Sequence, residues 1–188
     1  MRKIDETLSL VCKFLNKENI DYVLVGGLAV NFHGVPRTTM DIDIILNIGE
    51  GRIPKLVNFL IQNDFLADAE DIEDALRESS HCTIHDKRSM IRLDIKGVYG
   101  EMDRRTLERR RSFEYGGIKI QIASPEDTIA SKLLFGSEQD LKDAEGIYIR
   151  QHEKLDMEYL EETCKELGVG GEFKYLKKRV EETNRGGD

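Results

Sequence analysis

The chain has 188 residues, 39% hydrophobic and 34% charged, with a formal net charge of −8 at pH 7. That suffices for one well-buried core with a helical appendage and excludes collagen-like, disordered and coiled-coil compositions. The acidic balance also excludes polyanion binding over the whole surface, so a nucleic-acid partner would have to be held locally. The longest apolar runs, such as Tyr22-Val23-Leu24-Val25, are too short to span a bilayer, and the N-terminus turns acidic where a signal peptide needs an apolar stretch. Cys12, Cys82 and Cys164 lack metal-like spacing, which fits a reducing, cytoplasmic compartment.

Ile4, Leu8, Val11, Cys12 and Leu15 recur at helical spacing and predict an amphipathic helix with Cys12 as a small core residue. Asp21 to Val25 reads as a buried strand entering a tight Gly26-Gly27 turn, and Leu28 to His33 as a short helix stopped by Gly34 and Pro36. Met40 to Leu46 is the next strand, its alternation putting Asp41 and Asp43 on one face and Ile42 and Ile44 on the other. Pro54 to Asn63 predicts a helix with Ile53, Leu56, Val57, Leu60 and Ile61 as its core stripe. The acidic stretch Asp68 to Glu78 reads as a solvated loop or short helix. Thr83 to His85 and Ser89 to Val98 read as strands, the second with Ile91, Leu93 and Ile95 opposite Arg92, Asp94 and Lys96.

Glu101 to Arg111 reads as a charged helix, and two short strands, Ser112 to Tyr115 and Ile118 to Ile122, flank a Gly116-Gly117 hairpin turn. Ser124-Pro125 is a helix start, with Ser as N-cap and Pro at the first helical position. Helices follow at roughly 125–135, 139–150, 156–167 and 172–183, before a polar tail from Asn184 to Asp188 that is expected to fray. The expected fold class is α+β: a mixed sheet flanked by helices over residues 1–123, and a helical C-terminal region over 124–188 packed on that core.

The chemistry gathers around Asp41 and Asp43. Carboxylates on alternate strand residues project the same way with Cα atoms roughly 7 Å apart. Burial at a sheet end makes such a pair costly, because like charges resist ionising side by side, and a divalent cation removes the cost. Mg²⁺ takes one or two carboxylates and fills its remaining positions with water and phosphate oxygens. Asp94, on the polar face of a second alternating strand, could supply a third carboxylate. The Gly26-Gly27 turn offers backbone N–H groups to a triphosphate. Taken singly, Gly-Gly after a strand is commonly only a turn and Asp-x-Asp is commonly a solvent face. Their order is the specific feature: strand, Gly-Gly, short helix, then Arg37-Thr38-Thr39-Met40-Asp41-Ile42-Asp43 on the next strand.

On these residues the chain resembles the DNA polymerase β-like nucleotidyltransferase superfamily, through Val25-Gly26-Gly27 and Asp41-Ile42-Asp43. The longer string Gly26-Gly27-Leu28-Ala29, Gly34, Arg37, Thr39 and Asp41-Ile42-Asp43 is similar to the AbiEii-like branch, which includes toxins of toxin–antitoxin pairs. Ser124-Pro125-Glu126-Asp127, Lys132 and Asp140-Leu141-Lys142-Asp143-Ala144 resemble that branch's downstream motif.

The resemblance implies that Asp41, Asp43 and Asp94 bind Mg²⁺ or Mn²⁺, with Asp94 also helping to activate the acceptor. Gly26 and Gly27 would hold the β- and γ-phosphates of an NTP, and Lys132 would give the triphosphate a point charge. Arg37 and Thr39 join the nucleotide-binding set, with Arg37 equally able to pair with a structural carboxylate. Asp143 would orient Lys132 or lie near the nucleotide, ahead of Asp140. The implied reaction moves an NMP from an NTP to an acceptor hydroxyl and releases pyrophosphate. The acceptor could be a tRNA or other RNA 3′ end, a protein or a small molecule, and a cognate antitoxin is a possible partner. Gly27 departs from the Ser found in many members, which removes one hydroxyl donor. The alternative reading is an inactive domain of the same fold that binds a nucleotide or a partner protein.

His33 and His85 read as hydrogen-bonded structure, since neither has a partner at ligand spacing. His81 and Cys82 are adjacent and cannot easily share a metal from one strand. Arg104, Arg105, Arg109, Arg110 and Arg111 form the main basic concentration. With Glu101, Asp103 and Glu108 interleaved, it reads as a solvated helix in preference to an RNA-docking surface.

Overall fold

The computed structural model describes residues 2–185. Among these residues the strands form one seven-stranded mixed sheet in the order β3-β4-β5-β2-β1-β7-β6. The chain begins with α1 (Ile4–Lys17), whose buried stripe is Leu8, Val11, Cys12 and Leu15, as the spacing predicts. It continues through β1 (Asp21–Leu24), α2 (Gly26–Phe32) and β2 (Asp41–Asn47). Next come α3 (Ile53–Gln62), β3 (Phe65–Leu66), α4 (Ala69–Arg77), β4 (His81–Asp86) and β5 (Arg92–Lys96). α5 (Glu101–Glu108), β6 (Arg111–Tyr115) and β7 (Ile118–Ile122) complete the first two-thirds. The helices α6 (Pro125–Phe135), α7 (Glu138–Gln151), α8 (Met157–Glu166) and α9 (Gly170–Arg185) follow. The expected frayed tail from Asn184 begins within α9, and its residues 186–188 lie outside the described residues.

Several predicted boundaries move, each for a local reason. The helix expected from Leu28 starts two residues earlier, at Gly26 itself, where φ is +60°. The acidic stretch is a helix because Asp68 caps it, accepting a hydrogen bond from the Glu70 amide, and Ile72 is buried beneath it. β5 starts at Arg92, since Asp86 to Ile91 closes a turn in which the Ser89 hydroxyl donates to Asp86. Ile61, assigned to the core stripe of α3, is 49% exposed; Ile53, Leu56, Val57 and Leu60 carry the packing. The two-residue β3 carries no periodicity and was not predicted; only its pairing with β4 defines it.

β2 lies at the centre of the sheet, antiparallel to β1 and parallel to β5. One face is apolar along its length. Tyr22, Leu24, Ile42, Ile44, Leu46, Leu93 and Ile95 are all buried on it, and α1 reaches it where Cys12 meets Tyr22. Burial there pushes the Cys12 thiol up to about 12, so Cys12 is an inert core group and not a nucleophile. The opposite face changes character along β2. Ile45 packs with Val23, Ala123 and Leu107 of α5, and the same face then carries Asp43 and Asp41. No helix among the described residues is long and apolar enough to cross a membrane.

The chain forms two compact units: one takes the chain up to Leu28 and Thr38–Ala123, the other Ala29–Arg37 and the chain from Ser124 onward. The second is an all-helical unit whose core includes Val30, Ile129, Ala130, Leu133, Ile147, Leu160, Phe173 and Val180. α6 enters it as predicted, with Ser124 capping the Asp127 amide. The buried side chains of Glu126 and Asp127 join α6 to the start of α8, through the Asp156 amide and the Tyr159 hydroxyl.

Candidate active site

Three predicted carboxylates share one face of the sheet. Asp41 and Asp43 alternate on β2, and the parallel register sets Asp43 directly across from Asp94 on β5. Neighbouring strands stand about 4.8 Å apart, so Asp43 and Asp94 are nearest neighbours across the ladder. All three are partly exposed while Ile42, Ile44, Leu93 and Ile95 behind them are buried. A period of two therefore separates a dry face from an ionisable one.

Each carboxylate is held differently. Asp43 lies against the Gly26 turn: a methyl group at Gly26 would stand 2.7 Å from Asp43 Cγ and closer still to Oδ2. Only glycine at φ +60° lets the backbone approach the carboxylate this closely. The Val25 amide donates to the Asp43 carbonyl at 3.0 Å, which continues the β1–β2 ladder into that turn. Asp41 faces Arg92, its register partner, whose Nε and Nη2 approach Oδ1 at 2.7 and 2.6 Å. The hydrogen bond and charge of Asp41 hold the Arg92 guanidinium above its ordinary pKa. Asp94 accepts a 2.5 Å hydrogen bond from the Thr83 hydroxyl of β4.

The donor set suits a hard divalent cation, being carboxylate oxygens on one face at adjacent register positions. Among the described residues, however, no three His, Cys, Asp or Glu groups converge as a cation would require. Arg92 stands on Asp41, so that pair must open before the three acids can share an ion, while Thr83 engages only one oxygen of Asp94. Arg92 is the site feature that sequence reasoning did not single out. The alternation of β5 put it on the Asp94 face, but only the β2–β5 register aims it at Asp41.

Of the remaining predicted residues, Thr39 belongs to the first unit, and Arg37, Lys132, Asp140 and Asp143 belong to the helical one. Thr39 braces the entry to β2: its hydroxyl donates to the Asp41 carbonyl at 3.1 Å and accepts from the Asp41 amide at 3.2 Å. Arg37 pairs with Asp143, the structural-carboxylate alternative for that residue, and its amide donates to Asn31 Oδ1. Lys132, 8% exposed, lies 2.6 Å from Asp140 and 3.6 Å from Asp143. Asp140, ranked below Asp143 from the sequence, therefore makes the closer contact. Burial alone would raise the Asp140 carboxyl, but hydrogen bonds from Lys132 and Ser137 outweigh it and hold the group below the ordinary aspartate value.

Asp143 is fully buried beside Arg37 and Lys132, so removing it takes the carboxylate from Arg37 while Lys132 keeps Asp140. Breaking a buried pair from one side costs about 3 kcal/mol, or roughly 6–12 °C in Tm for a chain of this size. Asp143→Ala is expected to show that loss in a thermal melt, and Asp140→Ala, at the more open end of the network, well under half of it.

Arg104 pairs with Glu101 and Arg110 with Asp21, while Asp103 takes Lys96. Exposed pairs of this kind contribute a few tenths of a kcal/mol, which suits a solvated helix. His33 is buried, and its carbonyl accepts from Gln151, in keeping with a structural residue.

The fold is shared with solved nucleotidyltransferase structures. An antigenic nucleotidyltransferase-like protein from Paracoccidioides brasiliensis aligns with a TM-score of 0.55 at 20% identity, over 76% of this chain and 74% of its own. ANT(2″)-Ia in complex with adenylyl-2″-tobramycin aligns with a TM-score of 0.57 at 12% identity, over 87% and 95%. The lincosamide antibiotic adenylyltransferase LnuA, lincomycin-bound, aligns with a TM-score of 0.51 at 19% identity, over 74% and 93%. Comparison with curated proteins finds no significant match. The model of one sequence family matches residues 1–179, nearly the whole chain, and the α+β fold with its acidic sheet face accords with it. The chain is a nucleotidyltransferase and belongs to the family described as nucleotidyltransferase of unknown function (DUF6036).

Proposed function

We propose that this enzyme transfers a nucleoside monophosphate from an NTP to an acceptor hydroxyl with release of pyrophosphate. The observation that carries this reading is the acidic face of β2 and β5, with the Asp43 carboxylate seated against the Gly26 turn. Asp41, Asp43 and Asp94 would hold Mg²⁺ or Mn²⁺, which when bound neutralises them and polarises the phosphate under attack. The Gly26-Gly27 turn holds the β- and γ-phosphates next to those carboxylates. The acceptor oxygen forms its bond to the α-phosphorus as the bond to the β-phosphate oxygen breaks, and the hydroxyl proton passes to Asp94. From the motif string alone, Lys132, Arg37 and Thr39 extend the nucleotide-binding set, with Asp143 and Asp140 holding the two cations. The AbiEii-like placement, and with it a cognate antitoxin, rests on the same string.

For the acceptor, the reading favours a small-molecule hydroxyl. Two of the similar structures carry adenylyl-tobramycin and lincomycin, and in the arginine concentration Arg104 and Arg110 are engaged by Glu101 and Asp21. The test is incubation with each α-labelled NTP, Mg²⁺ or Mn²⁺, and a mixture of small acceptors and total RNA, beside an Asp41→Ala/Asp43→Ala variant. Wild type should release pyrophosphate and label a small acceptor, and the variant should do neither. Nucleotide binding by wild type with no pyrophosphate and no labelled product would overturn the reading and leave a binding module.

A further inference from the structure

Asp94 is held by a group that no motif contains. Thr83 sits on β4, one strand outside the carboxylates, and the β4–β5 register places it directly opposite Asp94. Its hydroxyl donates to Asp94 Oδ1 at 2.5 Å. That is the short length of an O–H bond to an ionised acceptor, a stronger class than a neutral pair. Among the described residues Oδ1 takes this bond and Oδ2 takes none, so the two oxygens of Asp94 are made inequivalent.

β4 is itself well anchored, which makes Thr83 a fixed support. Ile84 beside it is 1% exposed, Phe65 and Leu66 of β3 pair with Asp86 and His85, and the Tyr99 hydroxyl donates to the Ser80 carbonyl just before the strand. Thr83 also has no packing duty that would explain its hydroxyl, being exposed on the sheet face that carries the acids.

We propose that Thr83 is a positioning residue for nucleotidyl transfer: it fixes the Asp94 carboxylate by one oxygen and presents the other to the acceptor hydroxyl. This rests on the reading of Asp94 as the group that takes the acceptor's proton. A purely structural account is the alternative, since cross-strand side-chain pairs stabilise sheets. The two accounts part on which property changes. A sheet pair affects melting; a positioning bond affects turnover, and loss of such outer partners costs roughly 10–100-fold. Because Thr83 is exposed, the lower end applies.

The experiment measures pyrophosphate release from ATP and Mg²⁺ with the acceptor mixture, together with a thermal melt, for wild type, Thr83→Val and Thr83→Ser. Valine keeps the branched shape and strand preference without the hydroxyl; serine keeps the hydroxyl without the methyl. Thr83→Val is expected to lower kcat about tenfold, with KM for ATP within about twofold of wild type, and Thr83→Ser to restore most of kcat. Wild-type turnover in Thr83→Val would overturn the proposal, as would an equal loss in both variants, which would implicate shape. Should Thr83→Val melt several degrees lower, Thr83→Ala against Thr83→Ser gives the same comparison. An inactive wild type would overturn the proposed function itself, and this proposal with it, before any variant is compared.

Discussion

Asp43→Asn is expected to reduce nucleotidyl transfer by at least about a thousandfold while leaving Tm within roughly 2–4 °C of wild type. Asp43 is the middle of the three acids, next to Asp41 along β2 and across from Asp94 on β5. At about 5 Å, two unit charges in an effective dielectric of ~20 repel by roughly 3 kcal/mol before salt screening. Asparagine keeps the shape and one carbonyl oxygen and removes that repulsion, which offsets whatever the carboxylate's own hydrogen bonding contributes. The same charge is what a divalent cation requires, and losing several kcal/mol of charge stabilisation at the reacting phosphate corresponds to three or more decades in rate. Pyrophosphate release and a thermal melt measured on one preparation decide it. An active Asp43→Asn enzyme would remove Asp43 from the proposed cation-binding set.

Gly26→Ala is expected to lose both properties: roughly 2–3 kcal/mol of stability, some 4–12 °C in Tm, and at least about a hundredfold in activity. Two costs act together. At φ +60° a Cβ brings about 1–2 kcal/mol of backbone strain. The methyl group would also stand 2.7 Å from Asp43 Cγ, so the carboxylate must leave its seat. Gly51→Ala is the control, because nothing lies within 4 Å of the added carbon and the turn there is right-handed. A double-mutant cycle separates the terms. In an Asp43→Ala background the contacts with Cγ and Oδ2 are gone, leaving the strain and a 3.2 Å approach to Cβ, so Gly26→Ala should cost measurably less there. An equal cost in both backgrounds would show that the turn and the carboxylate are energetically independent.

Much of this site was legible because its elements are local. Asp-Ile-Asp at a period of two puts two acids on one face without any tertiary information, and the Ser124-Pro125 cap marks α6 to the residue. The Asp41–Arg92 pair and the Thr83 contact were not legible in the same way. Both depend on strand register, and register is decided by which apolar set is buried: Ile42 with Leu93 and Ile44 with Ile95 on β2–β5, and Ile84 with Leu93 on β4–β5. Ile61 failed for a related reason. Helical spacing brings it near the apolar stripe, but the stripe is only as wide as the surface it meets. The order of Asp140 and Asp143 around Lys132, 2.6 against 3.6 Å, is set by how α6 and α7 pack, which motif spacing does not resolve.

The chain passes between its two compact units three times, at residues 28/29, 37/38 and 123/124. Val30, fully buried among Ile129, Ala130 and their neighbours, is therefore contributed to the helical core from within the first forty residues. A chain ended at Ala123 would keep the three carboxylates and still carry an orphaned apolar segment. A helical unit begun at Ser124 would have a hole where Val30 and Val35 belong. The two halves are thus interlaced rather than modular: exchanging the C-terminal helices without residues 29–37 would leave the helical core without Val30, so the segment between the Gly26 turn and Asp41 is tied by packing to the far end of the sequence.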